Sequence, residues 1–367
     1  MYLKGLSVRG IRNYSRLDVS LSPGLNLFFG DNAKGKTNLL EAACFLGSLR
    51  SFRGVKPAAL LSWGAKEGRV SGEVAGAGVA KKIAVGLSEG KRRVTVDGKK
   101  PGSAREYLLV LKVSSFSPED LFLVKEYPAH RRRFLDRSIF HLHPGYLDLA
   151  NRYAAAVRQI NAAFKAGEAG VIGSYEELIL PLAAEVAQKR REQADALAPL
   201  ATELYDRVLG GGRLETVYRT AAKGGSRQEL ESSYRALLEK KRPEGLRRGC
   251  LMAGPHTDDL AVTLSGRDMK LSASRGQSRL AMLALVLADA ELYHAERGEY
   301  PVLLLDDVAS ELDVRRRDAL MEYITGRGQA LLTATEPALL DGREGQTFRV
   351  ETNPEGEALL SFQVKRK

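Results

Sequence analysis

A glycine, four residues and then Gly-Lys-Thr stand together in Gly30-Asp31-Asn32-Ala33-Lys34-Gly35-Lys36-Thr37, with Asn38 directly after. Glycine at the first and sixth positions lets a backbone curl around phosphate so that its N–H groups point inward at a helix N-terminus. In that pattern Lys36 reaches the β- and γ-phosphates of a nucleotide, and the Thr37 hydroxyl ligates Mg²⁺. A second feature is the apolar run Val302-Leu303-Leu304-Leu305, which ends in Asp306 and Asp307. The first carboxylate suits the Mg²⁺ sphere beside a P-loop, and the second is placed to orient or deprotonate an attacking water. Two acids at a strand end are common by themselves; beside a P-loop they read as the hydrolytic half of an ATP site.

Two weaker motifs gain meaning from their order. Ser274-Arg275-Gly276-Gln277 precedes a long apolar helix and is explained locally as an N-cap and helix start. It also resembles the Ser-x-Gly-Gln signature of ABC-class ATPases, whose serine and helix N-terminus contact the γ-phosphate held by a second subunit. Ala309-Ser310-Glu311-Leu312-Asp313 is similar to the loop that crosses the dimer interface in that class. The resemblance implies in-trans nucleotide contacts from Ser274, Gly276, Gln277 and Asp313.

The elements that must position these residues are legible in outline. Alternating apolar residues Leu3, Leu6 and Val8, then Leu17, Val19 and Leu21, predict strands, and Leu25 to Phe29 predicts a buried strand ending at Gly30. A helix is expected from Lys36 through Leu46. Residues 68–113 return to short strands, with Val94-Thr95-Val96 ahead of an Asp97-Gly98 turn. From about Pro118 to Arg248 the pattern is helical. Tyr146, Leu149, Tyr153, Val157, Ile160 and Phe164 define one apolar face, and Tyr175, Leu178, Ile179, Leu182 and Val186 a second. Two such helices predict a short antiparallel arm. Strand and helix alternation resumes near Cys250 and ends in strands at Val302 to Leu305 and Ala330 to Thr333. The expected architecture is an α/β ABC-type P-loop ATPase head, with mixed β-sheets and helices, split by a helical insertion. Residues 1–125 carry the P-loop and a β-rich lobe, 126–248 the arm, and 249–367 the rest of the head.

The net charge of +11 is unevenly placed. Residues 1–125 carry 21 Lys and Arg against 10 Asp and Glu, whereas residues 249–367 carry 14 against 19. The basic excess therefore sits in the first two thirds, where it suits a polyanion such as nucleic acid or simply keeps the surface solvated. Candidate phosphate contacts are Arg50, Arg53 and Lys56, and the run Arg131-Arg132-Arg133. For the arginine run a solvated or internally paired helix face is the equal alternative, and Arg50 and Arg53 face either nucleotide or DNA. No apolar stretch approaches the roughly 20 residues of a membrane span. Two cysteines without metal or redox spacing suit a reducing cytoplasm.

At this point the chain resembles the RecF family of bacterial recombination-mediator ATPases along nearly its whole length. The matching pieces are Leu3 to Tyr14, Pro23-Gly24-Leu25-Asn26, Asn38 to Ala42, Phe116 to Leu121, Arg131 to Asp136, Gly254-Pro255-His256-Thr257-Asp258-Asp259-Leu260 and Leu303 to Asp313. The resemblance implies a fold like the heads of Rad50 and SMC proteins, and it adds Arg12 and Asn13 to the expected ATP contacts. It also implies ATP-driven homodimerisation on double-stranded or gapped DNA at the nucleoid, and cooperation with RecO and RecR in loading RecA. Two departures point to slow hydrolysis. No Gln stands where an ABC-type Q-loop supplies one, and Thr333-Ala334-Thr335 replaces the usual His after the carboxylate strand. His256 is expected to cap a turn. The ATPase subunit of a membrane transporter shares the P-loop, signature and interface loop, but the long helical insertion and the basic N-terminal lobe argue against it.

Overall fold

The computed structural model describes residues 1–76, 79–88, 91–117, 127–310 and 312–366. Pro118 to Leu121 of one family block and Glu311 of the interface loop lie outside the described residues. The chain forms two compact units. One comprises Met1–Leu121, Leu204–Gly211 and Arg275–Lys367; the other comprises Phe122–Glu203 and Gly212–Ser274.

The first unit is built on two sheets with a helix between them. Its six-stranded sheet has the order β14-β13-β3-β12-β11-β7. The strands are β3 (Leu25–Phe29), β7 (Val113–Phe116), β11 (Val302–Leu305), β12 (Ala330–Ala334), β13 (Gly345–Thr352) and β14 (Ala358–Arg366). All neighbours run parallel except β13 and β14. Every residue of β3, β11 and β12 is buried, which is why these strands read as unbroken apolar runs. The five-stranded antiparallel sheet has the order β2-β1-β4-β5-β6, from β1 (Tyr2–Ile11), β2 (Tyr14–Ser20), β4 (Glu67–Gly76), β5 (Val79–Ser88) and β6 (Lys91–Val96). Asp97 and Gly98 both adopt positive φ, 49° and 78°, as the expected tight turn requires.

Helix α1 (Lys36–Ser48) touches both sheets and buries Leu39, Leu40, Phe45 and Leu46 between them. Gly47 lets it lie close to β7: a Cβ there would stand 2.8 Å from Val113 Cγ1 and 3.2 Å from the Leu111 carbonyl oxygen. The N-terminus of α1 therefore opens at the carboxyl ends of β3, β11 and β12, where open parallel sheets bind ligands.

Among the described residues the second unit holds four long helices, α3 (Pro128–Leu142), α4 (Tyr146–Ala166), α5 (Ala169–Leu204) and α6 (Arg227–Arg248), and a small sheet. Helix α4 (Tyr146–Ala166) buries Tyr146, Leu149, Tyr153, Ile160 and Phe164, the face its spacing predicts. The next helix, α5 (Ala169–Leu204), runs 36 residues, far longer than expected, and Leu178 of the predicted apolar face is 67% exposed. The unit also contains a sheet of order β10-β9-β8; β9 and β10 (Arg267–Asp268) lie where strands were expected to resume, whereas β8 lies inside the stretch read as helical. Strand β8 (Leu214–Arg219) pairs antiparallel with β9 (Asp259–Leu264), and that ladder draws residues 249–274 into this unit rather than into the head. The expected boundary at residue 248 and the expected arm over 126–248 are drawn differently in this division.

The Gly-Pro-His block is structural in this unit. His256 Nδ1 lies 2.7 Å from Tyr153 Oη, and its Nε2 lies 3.0 Å from the Leu251 carbonyl oxygen. Burial holds the His256 pKa below its ordinary value. Gly254 has φ 138°, and a Cβ on it would meet Tyr153 Oη at 2.7 Å. Asp258 accepts hydrogen bonds from Tyr218 Oη at 2.7 Å and Tyr234 Oη at 3.0 Å.

Candidate nucleotide-binding site

The loop from Gly30 to Gly35 joins β3 to α1, and its backbone explains both glycines. Gly30 has φ 143°, and a Cβ on it would collide with the Val350 carbonyl oxygen at 2.4 Å. Gly35 has φ 112°, and a Cβ there would stand 2.8 Å from the Asn13 side chain. Ala33, at φ 64°, takes a third left-handed position. Asn13 braces the loop from outside: its Nδ2 donates to the Lys34 carbonyl oxygen at 3.3 Å, and its Oδ1 accepts from Asn38 Nδ2 at 2.8 Å.

Lys36 is buried, and its Nζ donates to the carbonyl oxygens of Gly30 at 2.5 Å and Asp31 at 2.7 Å. Burial lowers its pKa, against the attraction of Asp307, Asp306 and Asp31. Thr37 Oγ1 donates to Asp306 Oδ1 at 2.9 Å, and Thr333 Oγ1 donates to the same oxygen at 2.7 Å. The Asp307 N–H donates in turn to Thr333 Oγ1 at 2.7 Å. Thr333 thus couples the two acids at the end of β11 to β12. Burial raises the Asp306 pKa; the Thr333 and Thr37 hydroxyls oppose that shift, and Asp307 adds to it. Asp307 itself holds φ 46°, a left-handed conformation that an L-residue with a Cβ adopts only at a cost of about 1–3 kcal/mol.

These groups line one cavity of about 280 Å³, bounded by Asn32, Lys36, Thr37, Arg53, Asp307 and Thr333 among others. The P-loop and both β11 acids, read from separate parts of the sequence, meet there. Arg53 joins them. Its Nη1 donates to Asn38 Oδ1 at 2.9 Å and lies 3.3 Å from Glu41 Oε2, so this candidate DNA contact belongs to the cavity wall. Arg12, expected on ATP, is engaged by Glu41 through two bonds, Nε–Oε2 at 2.8 Å and Nη2–Oε1 at 2.9 Å. Glu41 also accepts from the Ser51 hydroxyl. Sequence reasoning gave Glu41 no role, although an acid within the apolar run of α1 is an available signal.

The remaining candidates divide. Ser274, Arg275, Gly276 and Gln277 are exposed at the start of α8 (Arg275–Arg297). Asp313 caps α9 (Val314–Ile324), accepting from the Arg316 N–H at 2.9 Å. Arg50 and Lys56 are exposed. The arginine run follows its alternative reading in part. Arg131 is buried and bonded to Asp259 through both carboxylate oxygens, at 2.6 and 2.8 Å. Arg132 donates to the Asp258 carbonyl oxygen at 2.6 Å, and only Arg133 of the three is exposed. In this structure Arg131 and Arg132 make the internal contacts of the alternative reading, within the second unit.

A Gly-rich loop on a helix N-terminus, two acids at the neighbouring strand end and a second, antiparallel sheet over the same helix define a P-loop ATPase head of the ABC type. A family profile described as "RecF/RecN/SMC N terminal domain" matches residues 2–355. The DNA replication and repair protein RecF of Anaeromyxobacter dehalogenans strain 2CP-1 is 37% identical over 354 residues, 94% of this chain and 95% of that one. The RecF protein of Myxococcus xanthus is 36% identical, covering 93% of each chain. A solved structure of the recombination mediator protein RecF with ATP, in the RecFOR pathway, superposes with a TM-score of 0.89 at 29% identity over 99% of both chains. An Smc head domain from Pyrococcus furiosus shares the fold, with a TM-score of 0.60 at 15% identity. The chain belongs to the RecF family.

Proposed function

We propose that this protein binds ATP with Mg²⁺, closes as a homodimer on double-stranded or gapped DNA, and releases it after slow hydrolysis. The chain's own residues fit the nucleotide. Loop N–H groups at the α1 N-terminus and the Lys36 ammonium would meet the phosphate chain, and a Cβ at Gly30 or Gly35 would collide with the Val350 carbonyl oxygen or the Asn13 side chain. Mg²⁺ typically keeps waters and takes one or two protein oxygens beside nucleotide phosphates. Thr37 Oγ1 and Asp306 Oδ1, 2.9 Å apart, supply that pair. When bound, the metal neutralises developing phosphate charge. Asp307 then holds the attacking water and accepts its proton, positioned by its N–H bond to Thr333. Ser274, Gly276, Gln277 and Asp313 complete the partner's site in trans, which their exposed placement supports.

The observation that carries this reading is the chain of hydrogen bonds Thr37–Asp306–Thr333–Asp307 beside the buried Lys36. Relatives described as DNA replication and repair proteins support the DNA partner, and the RecFOR pathway named for the solved RecF structure supports cooperation with RecO and RecR; RecA loading in the cytoplasm belongs to the same proposal. The test is binding to gapped duplex DNA with and without Mg²⁺-ATP, with Lys36→Ala as control. Tight binding that needs both nucleotide and Lys36 is expected. Equal binding in all three conditions would show that ATP gates something other than DNA.

A further inference from the structure

The five-stranded sheet of the first unit has an apolar face against α1 and a solvent face that the nucleotide site does not use. Its pairing register sets Arg16 opposite Arg9, Arg9 opposite Arg69, Arg69 opposite Gly86, and Gly86 opposite Arg93. One row across all five strands therefore reads Arg, Arg, Arg, Gly, Arg. The next row on the same face reads Asp18, Ser7, Ser71, Ala84 and Thr95, nearly all small. Slipping any strand by one residue would turn Val8, Val70 or Val85, all fully buried, out to water, so the row is held in place by the core.

Like charges directly opposite on neighbouring strands destabilise a sheet. Relief is partial here. Asp18 pairs with Arg9 at 2.6 Å and stands 3.6 Å from Arg16. Glu67 accepts the Ser88 hydroxyl at 3.2 Å, and Glu73 at the far end pairs with Lys4 at 2.9 Å, with Lys82 nearby. Lys91 adds a further positive charge beside Arg93, opposite Ser88. Arg69 and Arg93 are exposed and make no ion pair among the described residues. A sheet that keeps such a row against its own repulsion is shaped for an anion from outside.

We propose that this face docks the phosphate backbone of duplex DNA without reading its bases. The proposal rests on the reading above that the protein binds duplex DNA, and it assigns the surface. Four strand spacings of about 4.8 Å make the row roughly 19 Å long. That length meets phosphates on both sides of a minor groove about 6 Å wide. Guanidinium forks match phosphate oxygens bidentately. Gly86 leaves a notch between Arg69 and Arg93, with only the Arg93 carbonyl oxygen, at 3.9 Å, within reach of a Cβ. The two rows present no large apolar side chain to insert into lipid, which favours a rigid polyanion over a membrane surface.

The test is Arg69→Gln/Arg93→Gln in the full chain, titrated with a fluorescent duplex oligomer in Mg²⁺-ATP at several salt concentrations. Losing two phosphate contacts should weaken binding roughly ten- to a hundredfold near 0.1 M salt and flatten the log–log salt slope by about 1.8. Binding of a fluorescent ATP analogue should not change. The melting temperature should hold or rise, because repulsion within the row is relieved. The Arg69→Lys/Arg93→Lys variant keeps the charges and should keep most of the slope. A Gln variant with wild-type affinity and slope overturns this surface while leaving the DNA-binding reading intact. A wild-type chain that binds no duplex in any nucleotide state overturns that reading and this proposal together. Loss of binding to phosphatidylserine vesicles, with DNA binding unchanged, would assign the face to a membrane instead.

Discussion

Asp306 shows how function and stability oppose each other at a single residue. It is 3% exposed, and burial raises its pKa even though two threonine hydroxyls donate to it. A carboxyl whose folded pKa lies above its unfolded value near 4 binds more protons in the folded state between the two values. Its favourable contribution is fully present below the unfolded pKa and is lost as pH rises through the folded one. Above that raised pKa the protein carries a buried, destabilising anion that suits a metal. Asp306→Asn should raise the melting temperature without nucleotide, with a gain that vanishes toward pH 4 and grows as pH rises. The same variant should lose Mg²⁺-dependent ATP hydrolysis. Thermal melts across pH check the first part, and a melting temperature lowered at pH 7 would contradict it.

Among the elements, α8 is joined by a buried ion pair to the residue just ahead of β7, a link that spacing does not reveal. Lys112 Nζ lies 2.9 Å from Asp289 Oδ2 and 4.5 Å from the Tyr293 ring centroid, and the Lys112 side chain is 2% exposed. Ser114 Oγ donates to the same carboxylate oxygen at 3.3 Å. The pair fastens the helix that begins at the signature residues to the strand whose Phe116 carbonyl oxygen accepts the Asp306 N–H at 2.9 Å. Removing one partner from a buried pair costs about 3–5 kcal/mol, whereas replacing both by apolar groups is often neutral. Lys112→Met should therefore destabilise the protein by about that amount, and Lys112→Met/Asp289→Leu should recover most of it. Denaturant unfolding of both variants decides this; an equally unstable double variant would show that the pair matters through more than its charge.

At the scale of the whole molecule the sites should be composite. If Lys36 serves its own subunit's nucleotide and Ser274 the partner's, Lys36→Ala and Ser274→Arg damage opposite halves of each site. Either variant alone should be inactive. In a mixed dimer both lesions fall on one site and leave the other whole, so mixing the two variants should restore ATP hydrolysis to about a quarter of wild type, by random pairing of subunits. No recovery on mixing would place Ser274 outside the nucleotide site.

The residues of the candidate site were legible because phosphate binding constrains local chain order. The Gly30 to Thr37 loop, the strand ending in Asp306 and Asp307, and the helix starting after Ser274 each carry their signal within a few neighbouring residues. The buried strands of the central sheet were legible for the same local reason, as continuous apolar runs. What only the tertiary structure decided depends on pairing over long separations. Thr333 bridges Asp306 to Asp307, Glu41 gathers Arg12 and Arg53, and Arg131 turns inward to Asp259. Likewise β8 joins β9 across an intervening helix, and the arginine row exists only once five strands fix their register. A charged residue carries the same letter whether it faces water, phosphate or a buried partner; desolvation and the geometry of its neighbours choose among these, and both belong to the folded chain.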